Sequence, residues 1–322
     1  MRLLSTTAKI LFVLAGVAAA FLYAYFHQII YTPHRVTEEK FVLVKSGDSL
    51  TQIAAELKQQ NLLDEEWHFV LFSKINKIYP QIKAGEYLID KDVSLYETAD
   101  ILRGGKVYQR KITFAEGLTA REIAEILYAD EYLSGDFEMP SEGYFLPETY
   151  VFARGDSRQQ IVRRAQKEMA EFLQKTWDER AADLPLKSKE ELLVLASIIE
   201  KETGVAAERP QIASVFVNRL KKGMLLQTDP TVIYALTNGQ KDLGRALNRK
   251  DLTVDSPYNT YKYAGLPPTP ICNPGKAAIS AAAHPDTTPY LYFVASGTGG
   301  HNFARTLDEH NQNVRRWKNL SK

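Results

Sequence analysis

Hydrophobic positions along this chain change their spacing in three stages. From Ile10 to Phe26 they run without interruption, and tolerating His27 and Gln28 extends the run to Tyr31. That is close to the ~20 residues a helix needs to cross a bilayer, and it predicts a membrane-spanning helix over residues 10–31. Residues 32–39 are polar around Pro33 and predict a short linker. Beyond it the pattern becomes short strands followed by short helices. Residues 41–44 read as a strand, Gly47-Asp48 as a turn, and 49–57 as a helix opened by a capping box, in which Ser49 and Gln52 each satisfy a free backbone N–H. The same box recurs at Ser94/Glu97 and at Thr119/Glu122, the last after a strand-like run over 111–114. Alanine and leucine keep the same offsets each time, at Ala54/Leu57, Ala99/Leu102 and Ala124/Leu127, so the chain repeats a loose strand–turn–helix unit.

From Ser157 onward the period is helical. Ile161, Ala165, Met169, Phe172, Leu173 and Trp177 form a core-facing stripe. A second helix begins near Ser188, with Gly204 placed to end it; a third carries Ile212, Val215, Phe216 and Leu220 and stops at Gly223. Asp229-Pro230 and Asn273-Pro274 each read as a cap followed by proline at a helix start. Residues 290–295 form a strand, Gly297 to Gly300 a turn into a second strand at His301, and a last helix runs over 306–317. The expected class is α+β. Its parts are a tail (1–9), the membrane helix (10–31), a linker (32–39), a small α+β domain (40–106), a second strand–helix unit (107–135) and a mostly helical domain with a small β element (136–322).

Composition removes several function classes. The 322 residues are 45% hydrophobic and 25% charged, an ordinary foldable mix, and the net charge of +1 gives no field to recruit nucleic acid. Cys272 is the single cysteine, which excludes an intramolecular disulfide, a Cys-based metal site and a lipoprotein anchor; the six histidines lack ligand spacing, so neither metal nor cofactor is expected. Arg2 and Lys9 precede the apolar run and place the N-terminus in the cytoplasm, with everything after Thr32 outside it. A cleaved signal peptide is the alternative, with small residues at Ala18 to Ala20; the run continuing through Phe21 to Phe26 and the tyrosines at 23, 25 and 31 favour a retained anchor.

The sharpest chemical signal is Leu192-Leu-Val-Leu-Ala-Ser-Ile-Ile-Glu200-Lys-Glu-Thr203. The first eight residues are apolar except Ser197, so the helix is buried, and Glu200 lies on the stripe of Leu193 and Ala196. Burial disfavours the charged carboxylate, which is what a general acid for glycoside cleavage needs. Marking the helix end is an equally simple reading of Glu200. Glu202, two residues on, points to another face. Leu226-Gln227-Thr228-Asp229 and Ser256-Pro-Tyr258-Asn259-Thr-Tyr261 read as site walls, the second mixing rings and amides suited to sugars; Asp229 is expected chiefly as a helix cap. Gly265-Leu-Pro-Pro-Thr-Pro270 reads as a rigid loop, and the Gly297 to Gly300 run as a hairpin turn rather than a phosphate cradle.

Two resemblances follow from these segments. Val42-Leu-Val-Lys-Ser-Gly47-Asp48-Ser49-Leu50, with a second helix over 65–75 and a closing strand over 85–89, resembles a LysM module, a βααβ fold that binds N-acetylglucosamine-containing glycans. Glu142-Gly-Tyr-Phe-Leu-Pro-Glu-Thr-Tyr150, Ala196-Ser-Ile-Ile-Glu200-Lys-Glu-Thr203, Leu226-Gln-Thr-Asp-Pro-Thr231, Tyr258-Asn-Thr-Tyr261 with Gly265-Leu-Pro-Pro268, His284-Pro285, Tyr290-Leu-Tyr-Phe-Val-Ala295 and Gly299-Gly-His301-Asn-Phe303 resemble the endolytic murein transglycosylase family over nearly the whole chain. The resemblance implies a lysozyme-like catalytic domain with Glu200 as the catalytic acid/base. It also implies Glu142, Thr228, Asp229, Tyr261 and His301 at the substrate and, by looser analogy with goose-type lysozyme, Gln227, Tyr258 and Asn259 in sugar subsites.

The implied reaction cleaves the bond between N-acetylmuramic acid and N-acetylglucosamine in newly made peptidoglycan strands and closes the muramoyl C6 hydroxyl onto C1, leaving a 1,6-anhydro end and terminating elongation. Implied partners are peptidoglycan glycan strands, the bacterial plasma (inner) membrane through a single-pass anchor, and peptidoglycan synthases. The competing readings are a hydrolytic muramidase in which Asp229 activates water, a non-catalytic glycan-binding scaffold, and a pyridoxal-phosphate lyase, the last disfavoured by location and by the lack of a phosphate-binding segment.

Overall fold

The computed structural model describes residues 6–34, 36–240 and 243–320. Arg2 and the rest of residues 1–5, and residue 35 of the linker, lie outside the described residues. The described chain separates into two compact units, 1–110 with 152–155, and 111–151 with 156–322.

In the first unit α1 (Thr6–Tyr31) is a 26-residue helix, with mean hydropathy 2.0 in its most apolar window and no buried residue, long and apolar enough to cross a membrane. Then come β1 (Lys40–Val44), α2 (Leu50–Gln59), α3 (Glu66–Ile75), β2 (Gly85–Ile89) and α4 (Leu95–Gly104). β1 and β2 pair antiparallel from Lys40↔Ile89 to Val44↔Gly85. The alternation of β1 sends Val42 and Val44 inward, onto Ile53, Ala54 and Leu57 of α2, Phe69 of α3 and Leu95, Ala99 and Leu102 of α4. The strand over 41–44 and the helix over 49–57 are elements the hydrophobic pattern predicted. Glu86 is 1% exposed in this unit and is held by Arg110 (2.8 Å) and Arg154 (2.9 Å), so its buried charge is paired on both oxygens.

The chain passes from the first unit to the second within β3 (Arg110–Thr113), whose ladder partner is β4 (Thr149–Phe152), and α5 (Ala120–Ala129) lies between them in sequence. The region over 107–135 thus contributes mainly to the second unit. Six helices and a hairpin follow: α6 (Arg158–Asp178), α7 (Lys189–Glu202), α8 (Arg209–Lys221), α9 (Asp229–Thr237), α10 (Lys276–Ala283), then β5 (Tyr292–Ala295) antiparallel to β6 (His301–Ala304), and α11 (Leu307–Leu320). α7 is the hub. Leu192 to Ile199 are all buried, because this helix is apolar on every face and packs against α6, α8 and α10.

All three capping boxes form, at Ser49/Gln52, Ser94/Glu97 and Thr119/Glu122, with each hydroxyl accepting from the N3 backbone and each N3 side chain accepting from the cap N–H. Two cap assignments change. The cap of α9 is Thr228 rather than Asp229, which becomes the first helical residue with Pro230 behind it, and the cap of α10 is Gly275 rather than Asn273. Both starts slip because the polar residue before each proline has a longer-range partner. Asn273 donates from Nδ2 to the Leu118 carbonyl (3.0 Å) and accepts at Oδ1 from Phe145 N–H (3.0 Å), tying two loops to α10.

Gly143 shows how closely those loops meet. Its φ is +87°, and a Cβ there would sit 2.5 Å from Pro270 Cγ. Gly143→Ala therefore meets both backbone strain and a clash with a rigid ring, and is expected to cost about 1–3 kcal/mol or more, read as a lower midpoint in urea unfolding.

Candidate active site

The last two turns of α7 carry two glutamates two residues apart, about 200° around the helix, so they serve opposite faces. Glu200 faces α8 and the start of α10. Its side chain is 5% exposed; Oε1 accepts from Arg209 Nη2 at 3.0 Å and Oε2 from Gly275 N–H, the cap of α10, at 2.9 Å. Arg209 also reaches Glu116 Oε2 at 3.5 Å. Gly275 has no Cβ because the Glu116 carboxylate occupies that space, with Oε1 1.7 Å from where a Cβ would lie. Glu200 is thus enclosed by a cation, a helix start and a second carboxylate, and each of its oxygens already has a donor.

Glu202 faces the other way, into a cleft of about 430 Å³ also lined by Arg219, Leu226, Gln227, Asp229, Tyr261, Tyr292 and His310. Its Oε1 accepts the hydroxyl proton of Thr228, the α9 cap. Burial pushes the Glu202 carboxyl up to about 7; the Thr228 hydroxyl works against that, the Asp229 charge adds to it, and His301 and Arg219 oppose it. Beside it, Asp229 Oδ1 accepts from Tyr261 OH at 2.5 Å, and Tyr261 is pushed upward by burial and by that hydrogen bond to Asp229. The cleft therefore pairs a carboxyl that burial pushes up to about 7 with the exposed side chain of Asp229 on the first turn of α9.

The cleft is assembled by Arg219. It is 8% exposed, donates to the carbonyls of Leu291 (2.6 Å), Leu225 (3.1 Å) and Leu226 (2.8 Å), and lies 5.1 Å from the centre of the Tyr292 ring. One guanidinium so fixes the loop before α9 against the start of β5. Gln227 takes a left-handed φ of +50°, and its N–H donates to the Thr260 carbonyl at 3.1 Å. The side chain of this residue is exposed on the cleft wall.

Of the residues singled out from sequence, Gln227, Asp229 and Tyr261 meet in this cleft, with Thr228 behind Glu202. Glu200 does not line it. Asn259 is completely buried: its Nδ2 donates to Leu252 (3.0 Å) and Val254 (2.8 Å) carbonyls and its Oδ1 accepts from Tyr261 N–H (3.0 Å), so it shapes the loop that presents Tyr261. Tyr258 is bonded to Thr269 (2.6 Å) and packs 4.9 Å from the Tyr234 ring. His301 stands on β6 with Nδ1 2.8 Å from Glu208 Oε2 and its N–H donating to Glu208 Oε1.

Glu142 accepts at Oε1 from Ala120 N–H (2.9 Å) and Asn273 Nδ2 (3.1 Å), and at Oε2 from Tyr234 OH (3.5 Å), which ties α5 to α9. Burial pushes it up to about 7 against those donors. The folded chain then holds a proton at Glu142 that the unfolded chain loses near 4.5, so stability falls as pH rises from about 4.5 to about 7 and is level above. Glu142→Gln is expected to flatten part of that decline, measured as unfolding free energy in urea at pH 5 and pH 8.

Sequence reading missed Glu202, Arg209, Arg219, Tyr292 and His310 as participants. A signal existed for the arginines. Arg209, Ile212, Phe216 and Arg219 keep helical spacing on the buried face of α8, and a cation on an apolar stripe must find anions or carbonyls.

Comparison with known proteins agrees with this architecture. The profile of the YceG-like family matches residues 42–316. A Bacillus subtilis (strain 168) protein named endolytic murein transglycosylase is 36% identical, over 84% of this chain and 82% of its own length. A relative of the same name from Streptococcus pneumoniae serotype 2 is 27% identical over 88% of this chain and 59% of its own length. The crystal structure of a yceG-like protein from Listeria monocytogenes matches with a TM-score of 0.53 at 32% identity, covering 86% of this chain and 99% of that one. With its family profile spanning most of the sequence and a relative above a third identical over four fifths of its length, this chain belongs to the YceG-like family.

Proposed function

We propose that the chain is a membrane-anchored endolytic murein transglycosylase whose acid/base is Glu202, with Glu200 holding the end of α7 in place. Family membership and the relatives' shared name support the activity. The observation that carries the residue assignment is that Glu202, and not Glu200, lines an open cleft with a carboxyl that burial pushes up to about 7. This moves the expected role two residues along the same motif.

In the proposed reaction Glu202 donates its proton to the oxygen bridging N-acetylmuramic acid and N-acetylglucosamine. That bond breaks as positive charge develops at the muramoyl C1. The resulting Glu202 carboxylate takes the proton of the muramoyl C6 hydroxyl, whose oxygen bonds to C1, giving a 1,6-anhydro end and restoring the acid. No water is consumed. Thr228 orients Glu202, and Gln227, Asp229 and Tyr261 offer polar groups to the sugars. Nascent strands are the proposed substrate, at the outer face of the plasma membrane and beside the synthases that polymerise them, with α1 as the single-pass anchor. The strand–helix–helix–strand arrangement over 40–89 supports a LysM-like glycan-binding module within residues 40–106, and the helical packing around α7 supports a lysozyme-like catalytic domain.

A second reading rests on Asp229. It shares the cleft with Glu202, so it could hold a water for hydrolysis, the two-carboxylate arrangement of an inverting glycosidase. Mass spectrometry of fragments released from purified sacculi by the full-length protein separates the two. Anhydro-muramoyl ends are expected; reducing ends would establish the hydrolase instead.

A further inference from the structure

The first unit carries an apolar surface that neither its core nor the proposed chemistry uses. On α3, Trp67 is 46% exposed, Leu71 38% and Ile75 70%. Their four-residue spacing puts them on one face of the helix, and exposed Lys74, seven residues after Trp67 and three after Leu71, sits at its edge. A contiguous stripe of tryptophan, leucine and isoleucine in water is costly, and on a soluble unit it signals a surface meant to be covered.

We propose that this face of α3 rests in the headgroup–acyl boundary of the bilayer, beside the end of α1, so that the first unit is seated on the membrane. The proposal rests on α1 being the membrane span. α1 is 26 residues, about 39 Å, whereas a hydrocarbon core is about 30 Å, so a helix entering the core at Ile10 leaves it near Ile29 and Ile30. That is the level at which α3 and α4 meet it. Phe26 lies edge-on to Trp67 with ring centres 6.2 Å apart, Tyr25 is 6.4 Å from His68, and Tyr31 is 5.5 Å from Tyr96. Rings from three helices therefore gather within about 9 Å along α1, around the level where it leaves the core, as aromatic side chains do at a membrane–water interface. Between α1 and α3 a groove of about 260 Å³ is walled by Phe26, Ile29 and Ile30 on one side and Leu71, Phe72 and Ile75 on the other. At that depth its natural occupant is a lipid acyl chain. Lys74 is placed to extend its ammonium to the phosphate level while its stem stays against the stripe.

The test uses the full-length chain in vesicles of phosphatidylethanolamine and phosphatidylglycerol, with a fluorophore on Ile75→Cys and, separately, on Val17→Cys. Cys272 is completely buried and leaves the introduced thiol as the reactive one. Quenching by lipids carrying a nitroxide near the headgroup is compared with quenching by aqueous iodide. At position 75 the shallow lipid nitroxide is expected to quench at least about twofold more than iodide, and at position 17 a nitroxide deep in the acyl chain is expected to dominate. Lipid quenching at 17 with iodide dominating at 75 would overturn the seating of α3 and leave the anchor intact. Iodide dominating at both would overturn the anchor and the seating together.

Discussion

Glu202→Gln is expected to lower the rate of glycan cleavage by about 10²–10⁴-fold while the protein remains folded, because a positioned general acid contributes about that much and the amide has no proton to give. The amide fits where the protonated acid sits. Its carbonyl can accept from Thr228 as Oε1 does, and replacing a group that burial pushes up to about 7 with a neutral one removes the cost of ionising it. The variant should therefore match wild type in unfolding midpoint at pH 5 and equal or exceed it at pH 8, where wild-type Glu202 must ionise inside the fold. The same carboxyl sets the pH profile. The wild-type kcat/KM is expected to fall above about pH 7, by tenfold per unit, as the acid loses its proton. Glu142 is also pushed up to about 7, so Glu142→Gln is the control: it should keep the falling limb, since Glu142 ties α5 to α9 and does not line the cleft. Retention of full activity in Glu202→Gln would return the role to another residue, Glu200 first.

Glu200→Ala should act mainly on stability. Removing one member of a buried ion pair costs about 3–5 kcal/mol, since the remaining charge loses its partner inside the protein. Arg209 is 8% exposed, and its remaining partner, Glu116, is at 3.5 Å. The cap N–H of α10 also loses its acceptor. The expected result is a large fall in urea midpoint, with activity lost in proportion to the unfolded fraction. Glu200→Gln, which keeps an acceptor for Gly275 N–H, should be milder and retain cleavage under conditions where it is folded. Activity loss in a fully folded Glu200→Gln, with Glu202→Gln active, would reverse the two roles.

Local chemistry was legible in the sequence wherever it depended on neighbours within one turn. The boxes at Ser49, Ser94 and Thr119 form as their spacing demands, and so do the apolar stripe of α6 and the hairpin over 292–304. The caps of α9 and α10 were misplaced by one and two residues, because Asp229 and Asn273 find partners, Tyr261 and Phe145, 32 and 128 positions away. The candidate site divides the same way. The motif points to the end of α7, and the proposed choice of Glu202 over Glu200 rests on what the motif does not contain: Arg209 and Gly275 stand on one side of that helix and an open cleft on the other. Periodicity places side chains on a face; it does not say what waits opposite that face.

The hold of Arg219 on the carbonyls of Leu291, Leu225 and Leu226 bears on when the cleft can form. The first of these bonds joins residues 72 positions apart, and the cleft also needs Tyr292 and His310. In the unfolded chain Glu202 is an ordinary, hydrated carboxyl near 4.5, ionised at neutral pH. The raised pKa of this carboxyl is thus a property of the folded unit and of no local segment. A chain still emerging, or truncated before residue 291, contains every residue of the glutamate motif but lacks Tyr292 and His310, two walls of the cleft that Glu202 faces.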